Sequence, residues 1–226
     1  MVLAHRGFKA RDDQRLPPPR HPREAARVHT AAMVEHLDEW PEVTAWRRAE
    51  RERLIAERLA VPADTRARMA RRIVAALDQL DIPPHSAVGI YWPFRGEFDL
   101  REWAISLLAR NIQPALPVVV ERNRPMIFRP WRPGCRMERG VWNIPVPAEG
   151  QALVPGFVIA PLVGYDQACF RLGYGGGYFD RTLAVLSPRP VAVGIGVGAG
   201  RLPSIRPQPH DIPMDRIITE ELSFAR

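Results

Sequence analysis

Cysteine is scarce in this chain of 226 residues, which contains 2 cysteines, Cys135 and Cys169. Two cysteines so far apart provide neither a disulfide framework nor a zinc site with four thiolate ligands. Long hydrophobic runs are also missing: no stretch reaches the ~18 apolar residues of a membrane span, and the N-terminus lacks the apolar core of a secretory signal. We therefore expect a cytoplasmic protein with reduced thiols and no membrane partner.

Lysine is nearly absent as well. Lys9 is the only lysine, so arginine supplies almost all the positive charge of a chain with a formal net charge of +7 and a pI of about 10.3. This balance favours an anionic partner such as a nucleotide, a polyanionic cofactor or a nucleic acid. A base-composition bias of the coding DNA explains the same arginine content, so charge alone does not select a partner.

Several common catalytic motifs do not occur. The sequence has no glycine–lysine pair for a Walker loop, no H-x-x-x-H metal pair and no G-x-S-x-G elbow. The segment GIGVGA, which starts at Gly194, fits a dinucleotide motif, but the following RLPSIRP cannot open the helix that this motif requires. We therefore expect the glycines of residues 194–200 to let a strand pack closely against its neighbours.

The hydrophobic pattern changes at about residue 40. Residues 1–40 show no sustained periodicity beyond a short helical pattern at 24–37, which predicts an N-terminal extension, disordered or partly helical. Residues 41–226 are predicted to form a single α/β domain. Helical patterns occupy 41–80, interrupted by one turn, and further helices are predicted at 100–110 and 178–186.

Strand patterns alternate with these helices. They lie at residues 87–93, 112–120, 126–131, 157–166, 190–200 and 216–220, and the second and third form a candidate hairpin. The alternation predicts a three-layer α/β/α sandwich with a mostly parallel or mixed central sheet. Ligands of such sheets bind in loops after the carboxyl ends of strands, here residues 94–99, residues 171–181 and the loop that contains His210.

The most distinctive of these loops is RLGYGGGYFDR, residues 171–181, which we call the glycine stretch. Glycine lacks a β-carbon, so this backbone can adopt positive φ and turn its N–H groups toward an anion. Aromatic rings flank the glycines, and charged side chains close the segment; the residues concerned are Arg171, Gly173, Tyr174, Gly175, Gly176, Gly177, Tyr178, Phe179, Asp180 and Arg181. The combination predicts a phosphate site beside a heterocycle site.

Carboxylates fall in or near the same loops, namely Glu97, Asp180, Asp211 and Asp215. Magnesium is bound by one or two carboxylates together with substrate phosphates, and two of these acids could supply them. Each acid taken alone is equally compatible with a helix cap or a surface charge. Their joint placement in the predicted ligand loops is what favours a metal site.

Four segments, in order, resemble motifs of the 5-formyltetrahydrofolate cyclo-ligase family, also called methenyltetrahydrofolate synthetases: YWPFRGEFD, WNIPVP, the glycine stretch and PHDIPMDRIITE. RRAERERLIAERLAVP is similar to the family's opening helix, so the resemblance extends from about Trp46 to the end of the chain. It implies an ATP- and Mg²⁺-dependent ligase of one-carbon metabolism that converts 5-formyltetrahydrofolate into 5,10-methenyltetrahydrofolate. The formyl oxygen is phosphorylated, N10 attacks the activated carbon, and phosphate leaves.

The resemblance also implies roles for individual residues. Catalysis would involve Arg171, Arg181 and Tyr178. ATP would be bound by Arg47, Arg51, Arg171, Gly173, Tyr174, Gly175, Gly176 and Gly177. The folate would be bound by Trp92, Glu97, Trp142, Tyr178 and Phe179, and magnesium by Asp180 and Asp211, with Asp215 nearby. Small-molecule substrates would be the partners of a monomer or homodimer.

Three positions depart from the family pattern. Arg47 replaces a lysine of the opening helix, Gly176 stands where many members have lysine, and Phe179 replaces a second tyrosine. Arg171 or Arg181 is the expected substitute for the missing lysine. A divergent paralogue that binds a folate, nucleotide or related heterocycle without ring closure is therefore an alternative. Nucleic-acid binding through the arginine-rich extension and helix is a third, disfavoured hypothesis, because no stacking-aromatic RNA motif accompanies the arginines.

Overall fold

Four helices flank a mixed β-sheet in the computed structural model, which describes residues 40–226. Residues 1–39 of the extension predicted at 1–40, with its helical pattern at 24–37, lie outside the described residues. The helices are α1 (Trp40–Ala60), α2 (Ala63–Leu77), α3 (Arg101–Ala109) and α4 (Tyr178–Val185). Each helix predicted from residue 41 onward is thus present, with its ends shifted by only a few residues.

Seven strands form the main sheet, in the order β11-β10-β9-β6-β1-β2-β3. Their ranges, in chain order, are β1 (Ala87–Gly89), β2 (Gln113–Val118), β3 (Ile127–Pro130), β6 (Phe157–Pro161), β9 (Val191–Ile195), β10 (Arg216–Ile218) and β11 (Ser223–Ala225). The five central strands run parallel, and β3 and β11 pair antiparallel at the two edges. The predicted mostly parallel or mixed sheet is confirmed, as is the hairpin of β2 and β3.

Alternate strand residues pack on opposite faces of this sheet, as the two-residue period of a strand requires. On one face Val88, Ile159 and Val193 join a cluster with Ile73 of α2 and Leu107 of α3. The next residues along the strands belong to a second cluster, which contains Leu183 of α4 together with Ala115, Val158, Ala160, Ala192 and Ile217. Helices therefore cover both faces, and the layers are those of an α/β/α sandwich.

Two short ribbons accompany the main sheet. One consists of β4 (Met137–Arg139) and β5 (Pro145–Pro147), joined by a 3-10 turn at Val141–Asn143. The other consists of β7 (Gly164–Tyr165) and β8 (Arg171–Leu172), and β8 begins the glycine stretch. The sequence patterns predict neither ribbon. Among residues 40–226, no helix combines the length and the apolar character of a membrane span.

Helix α1 places arginines on its inner face. Arg47 and Arg58 are buried and Arg51 is half-buried, on the same face as the buried Leu54. The spacing of 4, 3 and 4 residues between these positions is that of one helical face. Arginine therefore occupies the buried face of α1 as well as its exposed face.

Two glycines of β9 and the residues after it face Leu162. A β-carbon on Gly194 would lie 2.3 Å from Cδ2 of Leu162 and 2.8 Å from Cδ1 of Ile217, and one on Gly196 would lie 2.4 Å from Cδ1 of Leu162. These distances are well below van der Waals contact, so the core closes only because these positions lack side chains. The expectation of close strand packing is confirmed, and a dinucleotide role is not needed to explain the glycines.

Replacing Gly194 with alanine is expected to lower the free energy of unfolding by about 1–3 kcal/mol, since the added methyl group must displace core side chains. Urea denaturation measures the change. Gly156→Ala is the matched control, because a β-carbon there would meet nothing closer than the Ala87 carbonyl oxygen at 4.0 Å. Equal stabilities of the two variants would show that the core yields without cost.

Candidate active site

A cavity of about 190 Å³ lies at the carboxyl ends of the central parallel strands. Tyr91 follows β1, Val119 follows β2 and Pro161 ends β6, and all three line it. The loop after β9 adds His210 and Asp211. All three loops selected by the strand-end rule therefore line this cavity.

The cavity brings together nearly every predicted site residue. Its lining includes Arg47, Arg51, Trp92, Glu97, Trp142, Arg171, Gly173, Tyr174, Gly175, Gly176, Gly177, Tyr178, Phe179, Asp180 and Asp211. Arg181, which is also among the described residues, does not line it. The glycine stretch thus forms one wall, and residues far apart in the chain face that wall.

The glycine stretch adopts a conformation that needs glycine at specific points. Gly175 has φ of 92° and Gly177 has φ of 62°, both in the left-handed region that disfavours other residues. A β-carbon on Gly173 would lie 2.6 Å from Nη1 of Arg171. At these glycines the loop therefore presents its backbone, and no side chain, to the cavity.

Helix α4 begins directly after this loop. Gly177 is its N-cap, and no side chain caps the helix. The first N–H groups of a helix have no partner within it and carry partial positive charge, so an uncapped start at a cavity suits an anion. This geometry supports the predicted phosphate site at the level of charge and hydrogen bonding.

Three arginines form a cluster on the cavity with two aspartates, and we call it the arginine cluster: Arg47, Arg51, Arg171, Asp180 and Asp211. Nη2 of Arg171 donates to Oδ2 of Asp180 at 2.8 Å, and Nη2 of Arg47 donates to Oδ2 of Asp211 at 2.5 Å. Nε of Arg51 donates to the Gly173 carbonyl at 2.7 Å. Burial first, and then the charge of Arg47, lower the pKa of Arg51 below its ordinary value, while Asp211 opposes them.

The two aspartates predicted as magnesium ligands retain unused acceptor sites. Besides Arg171, Asp180 accepts one bond from the described residues, from the Ile212 N–H at 3.2 Å. Asp211 also accepts from the Gln208 N–H at 2.7 Å. Within the described chain no group of three or more His, Cys, Asp or Glu side chains is arranged to hold a metal. A magnesium ion here would therefore depend on two carboxylates plus oxygens of a bound phosphate, which is its common mode of binding.

Two predicted residues have other positions than expected. Arg181 follows Tyr178 by three residues on α4, so its guanidinium stacks over the Tyr178 ring at 5.3 Å and donates to the Gly176 carbonyl. Its position supports the glycine loop and does not present a cation to the cavity, so it does not replace the missing lysine. Asp215 accepts from the Ala192 N–H at 2.8 Å and pairs with Arg189, so it joins β9 to the segment before β10, and it is not among the cavity-lining residues.

A group of aromatic residues, which we call the aromatic cluster, lies beside the glycine stretch: Phe94, Trp142, Tyr174 and Tyr178. The rings of Phe94 and Trp142 are nearly parallel, with centroids 6.4 Å apart, and Tyr174 meets Phe94 edge-on at 5.7 Å. Trp142 reaches this position from the turn between β4 and β5 with a left-handed φ of 55°. These flat surfaces suit a ring system, as the aromatic flanks of the sequence predicted.

Two predicted folate residues have their rings covered by arginine. The guanidinium of Arg101 lies 4.9 Å from the Trp92 ring centroid, and that of Arg171 lies 5.2 Å from the Phe179 ring centroid. Phe179 also packs against the second core cluster. Its lack of a hydroxyl therefore agrees with its apolar surroundings.

Glu97 is a buried carboxylate on the cavity wall, 8% exposed. Its Oε2 accepts the Phe94 N–H at 2.8 Å across a turn formed by Arg95 and Gly96, both with positive φ. Its Oε1 is buried and has no described atom in hydrogen-bond geometry, although the Tyr174 hydroxyl lies near enough to the carboxylate to help lower its pKa. Burial raises the pKa of Glu97 to about 7, against the opposing effect of Arg58, so this acid is poised to bind a polar group in the cavity.

The sequence analysis missed two residues of this region. Phe94 lies inside the motif YWPFRGEFD, so its aromatic character was visible there. Arg58 shares a helical face with Arg47, Arg51 and Leu54, and that spacing was a usable signal. Arg58 itself is not among the cavity-lining residues.

Comparisons with known proteins agree with this architecture. A family model described as the 5-formyltetrahydrofolate cyclo-ligase family matches residues 43–220. A 5-formyltetrahydrofolate cyclo-ligase of Haemophilus influenzae is 25% identical over 152 residues, covering 63% of this chain and 80% of that protein. A protein of the same name from Mycolicibacterium smegmatis is 29% identical over 119 residues, covering 50% and 57% of the two chains.

Solved structures give the same result. The NMR structure of Aquifex aeolicus 5,10-methenyltetrahydrofolate synthetase matches with a TM-score of 0.69 and 26% identity, over 79% of this chain and 92% of that one. A 5,10-methenyltetrahydrofolate synthetase from Mycoplasma pneumoniae matches with a TM-score of 0.63 over 77% and 98% of the chains. At 22% identity, the second match supports the fold alone.

Proposed function

The chain belongs to the 5-formyltetrahydrofolate cyclo-ligase family, whose members are ligases, and from that premise we propose that it converts 5-formyltetrahydrofolate into 5,10-methenyltetrahydrofolate with ATP and Mg²⁺. The observation that carries the proposal is the meeting of the arginine cluster, the aromatic cluster and Glu97 in one cavity. A reaction between a triphosphate and a heterocycle needs both kinds of surface side by side.

The arginine cluster and the glycine stretch are proposed to bind the phosphates of ATP. Backbone N–H groups at the start of α4 and the cations of Arg51 and Arg171 would hold the γ-phosphoryl group and stabilise its charge during transfer. Arg171 is oriented by its bond to Asp180, and Arg47 by its bond to Asp211. These contacts fix the direction of the cations before ATP binds.

Magnesium is proposed to be held by the carboxylates of Asp180 and Asp211, which line the same cavity and keep unused acceptor sites. When bound with ATP, the ion would neutralise phosphate charge and favour departure of ADP. The residues present fit this role without a third protein ligand, since phosphate oxygens and water complete the coordination of Mg²⁺.

The folate is proposed to lie against the aromatic cluster, with Glu97 at its pterin ring. The ring carries N–H donors, and the unpartnered Oε1 of Glu97 is a buried acceptor that such donors would satisfy. Tyr178 belongs to the aromatic cluster and also begins α4, so it lies where the two substrates would meet. Trp142 would complete the ring-binding surface.

The proposed chemistry has two steps. The formyl oxygen attacks the γ-phosphorus of ATP, a new P–O bond forms, and the bond to ADP breaks. The N10 lone pair then attacks the activated formyl carbon and closes the ring, N10 releases its proton to solvent, and the phosphate leaves with the oxygen. The protein supplies position and charge in both steps, and none of its side chains needs to form a covalent bond.

A direct assay tests the proposal. Purified protein is incubated with 5-formyltetrahydrofolate and Mg-ATP, and the near-ultraviolet absorbance of the methenyl product is followed. Product formation that requires ATP supports ring closure. An absence of product at high enzyme concentration, with ATP and folate both shown to bind, would favour the second candidate, a paralogue that binds these ligands without turnover.

That second candidate rests on Gly176. A β-carbon at this position would lie 2.9 Å from Cδ2 of Tyr178 and 3.3 Å from Cη2 of Trp142, so the local packing has no room for the lysine that many family members carry there. Arg181 does not compensate, because it lies under the loop. Arg51, which lies 3.4 Å from a β-carbon built on Gly175, is the cation best placed to do so.

Replacing Gly176 with lysine is expected to reduce turnover about tenfold or more, because the side chain must push the Tyr178 ring out of place. Steady-state kinetics with both substrates measures the effect. Gly156→Lys is the control, since its surroundings are open to 4.0 Å. An increase in turnover of the Gly176 variant would mean that the ring yields and that a cation at this point aids phosphoryl transfer.

The nucleic-acid hypothesis loses support from the exposed arginines of α1. Arg48 pairs with Glu52 at 3.1 Å, and Arg53 pairs with Glu50 and Glu57 at 2.6 and 2.8 Å. The outer face of this helix therefore alternates charge, which does not suit a phosphate backbone.

A further inference from the structure

Arg58 is a buried cation that ties three separate segments to helix α1. The residue is only 4% exposed to solvent. Nε donates to the Arg95 carbonyl at 3.0 Å, Nη1 donates to the Leu162 carbonyl at 3.3 Å, and Nη2 donates to the Tyr174 hydroxyl. One guanidinium thus joins the loop of Glu97, the end of β6 and the glycine stretch.

We propose that Arg58 is a positioning residue of the cyclo-ligase site: it holds the Glu97 loop against Tyr174 and keeps the Glu97 carboxylate in its ionised form for the folate ring. The inference rests on the proposed function, because it assigns Glu97 to the folate. Arg58 acts only through its neighbours, since it does not line the cavity itself.

The charge of Arg58 is not neutralised by an adjacent acid. Within residues 40–226 no carboxylate lies within ion-pair distance of it; its three partners are two carbonyls and a hydroxyl. A buried cation without an acid partner carries an electrostatic cost, which hydrogen bonds alone repay only in part. This cost is offset in part if the field of Arg58 acts on a nearby buried carboxylate.

Glu97 is that carboxylate. The titratable groups that face it are Arg58 from α1, Tyr174 from the glycine stretch and Tyr91 from the segment after β1. Burial raises the pKa of both tyrosines above their ordinary values, so they remain neutral hydroxyls at physiological pH. Arg58 is therefore the cation that opposes the effect of burial on the pKa of Glu97, with smaller contributions from the Phe94 N–H and the Tyr174 hydroxyl.

The ionisation state of Glu97 determines what it can bind. An ionised carboxylate accepts hydrogen bonds from ring N–H groups, whereas a protonated one offers an O–H donor in their place. If Arg58 lost its charge, the pKa of Glu97 would rise further, and the acceptor would be lost at neutral pH. The cation thus extends folate binding toward lower pH.

The test compares Arg58→Gln, which is neutral but can still donate, with Arg58→Lys, which keeps the charge. The pH dependence of kcat/KM for 5-formyltetrahydrofolate is measured from pH 6 to 9. We expect the acidic limb of Arg58→Gln to move up by about one to two pH units. Because kcat/KM follows the ionised fraction of Glu97, this shift should lower kcat/KM about tenfold at pH 7 but less than about twofold at pH 9. The Lys variant should keep the limb of the parent protein.

A double variant separates this role from a purely structural one. In a Glu97→Gln protein the titrating group is gone, so adding Arg58→Gln should no longer move the limb, although it can still lower the rate at every pH. A uniform loss in Arg58→Gln at all pH values, or an unchanged limb, would overturn the proposal.

A measurement without ligands keeps the inference separable from the proposed function. Urea midpoints are recorded against pH for the parent protein and for Arg58→Gln. The pH at which the decline in stability levels off reports the folded-state pKa of Glu97, and we expect it to rise by about one to two units in the variant. A shift without any cyclo-ligase activity would retain the Arg58–Glu97 coupling and reject only the reaction. Coincident profiles would reject the coupling itself.

Discussion

Replacing Asp180 with asparagine is expected to lower kcat about a hundredfold or more, because the neutral amide both weakens the proposed magnesium site and loosens Arg171. Oδ2 of Asp180 accepts a hydrogen bond from Nη2 of Arg171 at 2.8 Å, and both residues line the cavity. The substitution therefore acts on charge and on orientation at once. Steady-state rates at increasing MgCl₂ separate the two effects, since added metal can compensate for weaker magnesium binding but not for a misoriented Arg171.

Asp64→Asn is the matched control for this prediction. Asp64 also lies in the first turn of a helix, α2, and pairs with an arginine, Arg68, at 2.6 Å. It is exposed and does not line the cavity, so its removal should leave the rate unchanged. Parent-like turnover in Asp180→Asn would rule out a role for this carboxylate in metal binding.

Replacing Glu97 with glutamine is expected to stabilise the protein at pH 8 and to leave its stability at pH 5 nearly unchanged. The folded-state pKa of Glu97 is raised to about 7, from an unfolded value near 4.5. Between these values the folded chain holds a proton that the unfolded chain releases, so stability falls as pH rises through this window. A shift of this size corresponds to about 3 kcal/mol above pH 7, which glutamine would recover.

The same substitution should impair function while it improves stability. Loss of a charged hydrogen-bond acceptor is expected to weaken folate binding about tenfold to a hundredfold. Urea unfolding at pH 5 and pH 8 measures the first effect, and equilibrium binding of 5-formyltetrahydrofolate measures the second. Glu102→Gln on the exposed face of α3 is the control and should change neither quantity. Parallel stability curves for Glu97→Gln and the parent protein would contradict the burial argument.

The main sheet could be predicted because its central strands are short apolar runs covered on both faces, a pattern that few other structures share. The ribbon of β4 and β5 could not, since β4 is largely exposed, β5 contains two prolines, and each strand has too few residues for alternation to show. The last strand, β11, is likewise short and follows a turn without a distinctive pattern. Their pairing depends on where the rest of the fold places them.

The site could be predicted at the level of loops more readily than at the level of side-chain direction. Motif resemblance and the strand-end rule selected Glu97, Asp180 and Asp211 from opposite parts of the chain, and the cavity brings them together. The direction of Arg181 was not predictable in this way, because it depends on the docking of α4 under the glycine loop. Helix α1 carries arginines on several sides. The packing of Leu54 into the core decides which of them face inward.

The inward arginines of α1 also fix a length. Arg47 and Arg58 are 11 positions apart, and at 1.5 Å per residue their Cα atoms are separated by about 16 Å along the helix axis. The helix therefore sets the distance between the arginine that contacts Asp211 and the arginine that contacts Tyr174. A single residue inserted between Arg51 and Arg58 would rotate every later side chain by about 100°. Arg47 would keep its aspartate, but Arg58 would face solvent, so the spacing within this helix is as much a part of the site as the identity of its arginines.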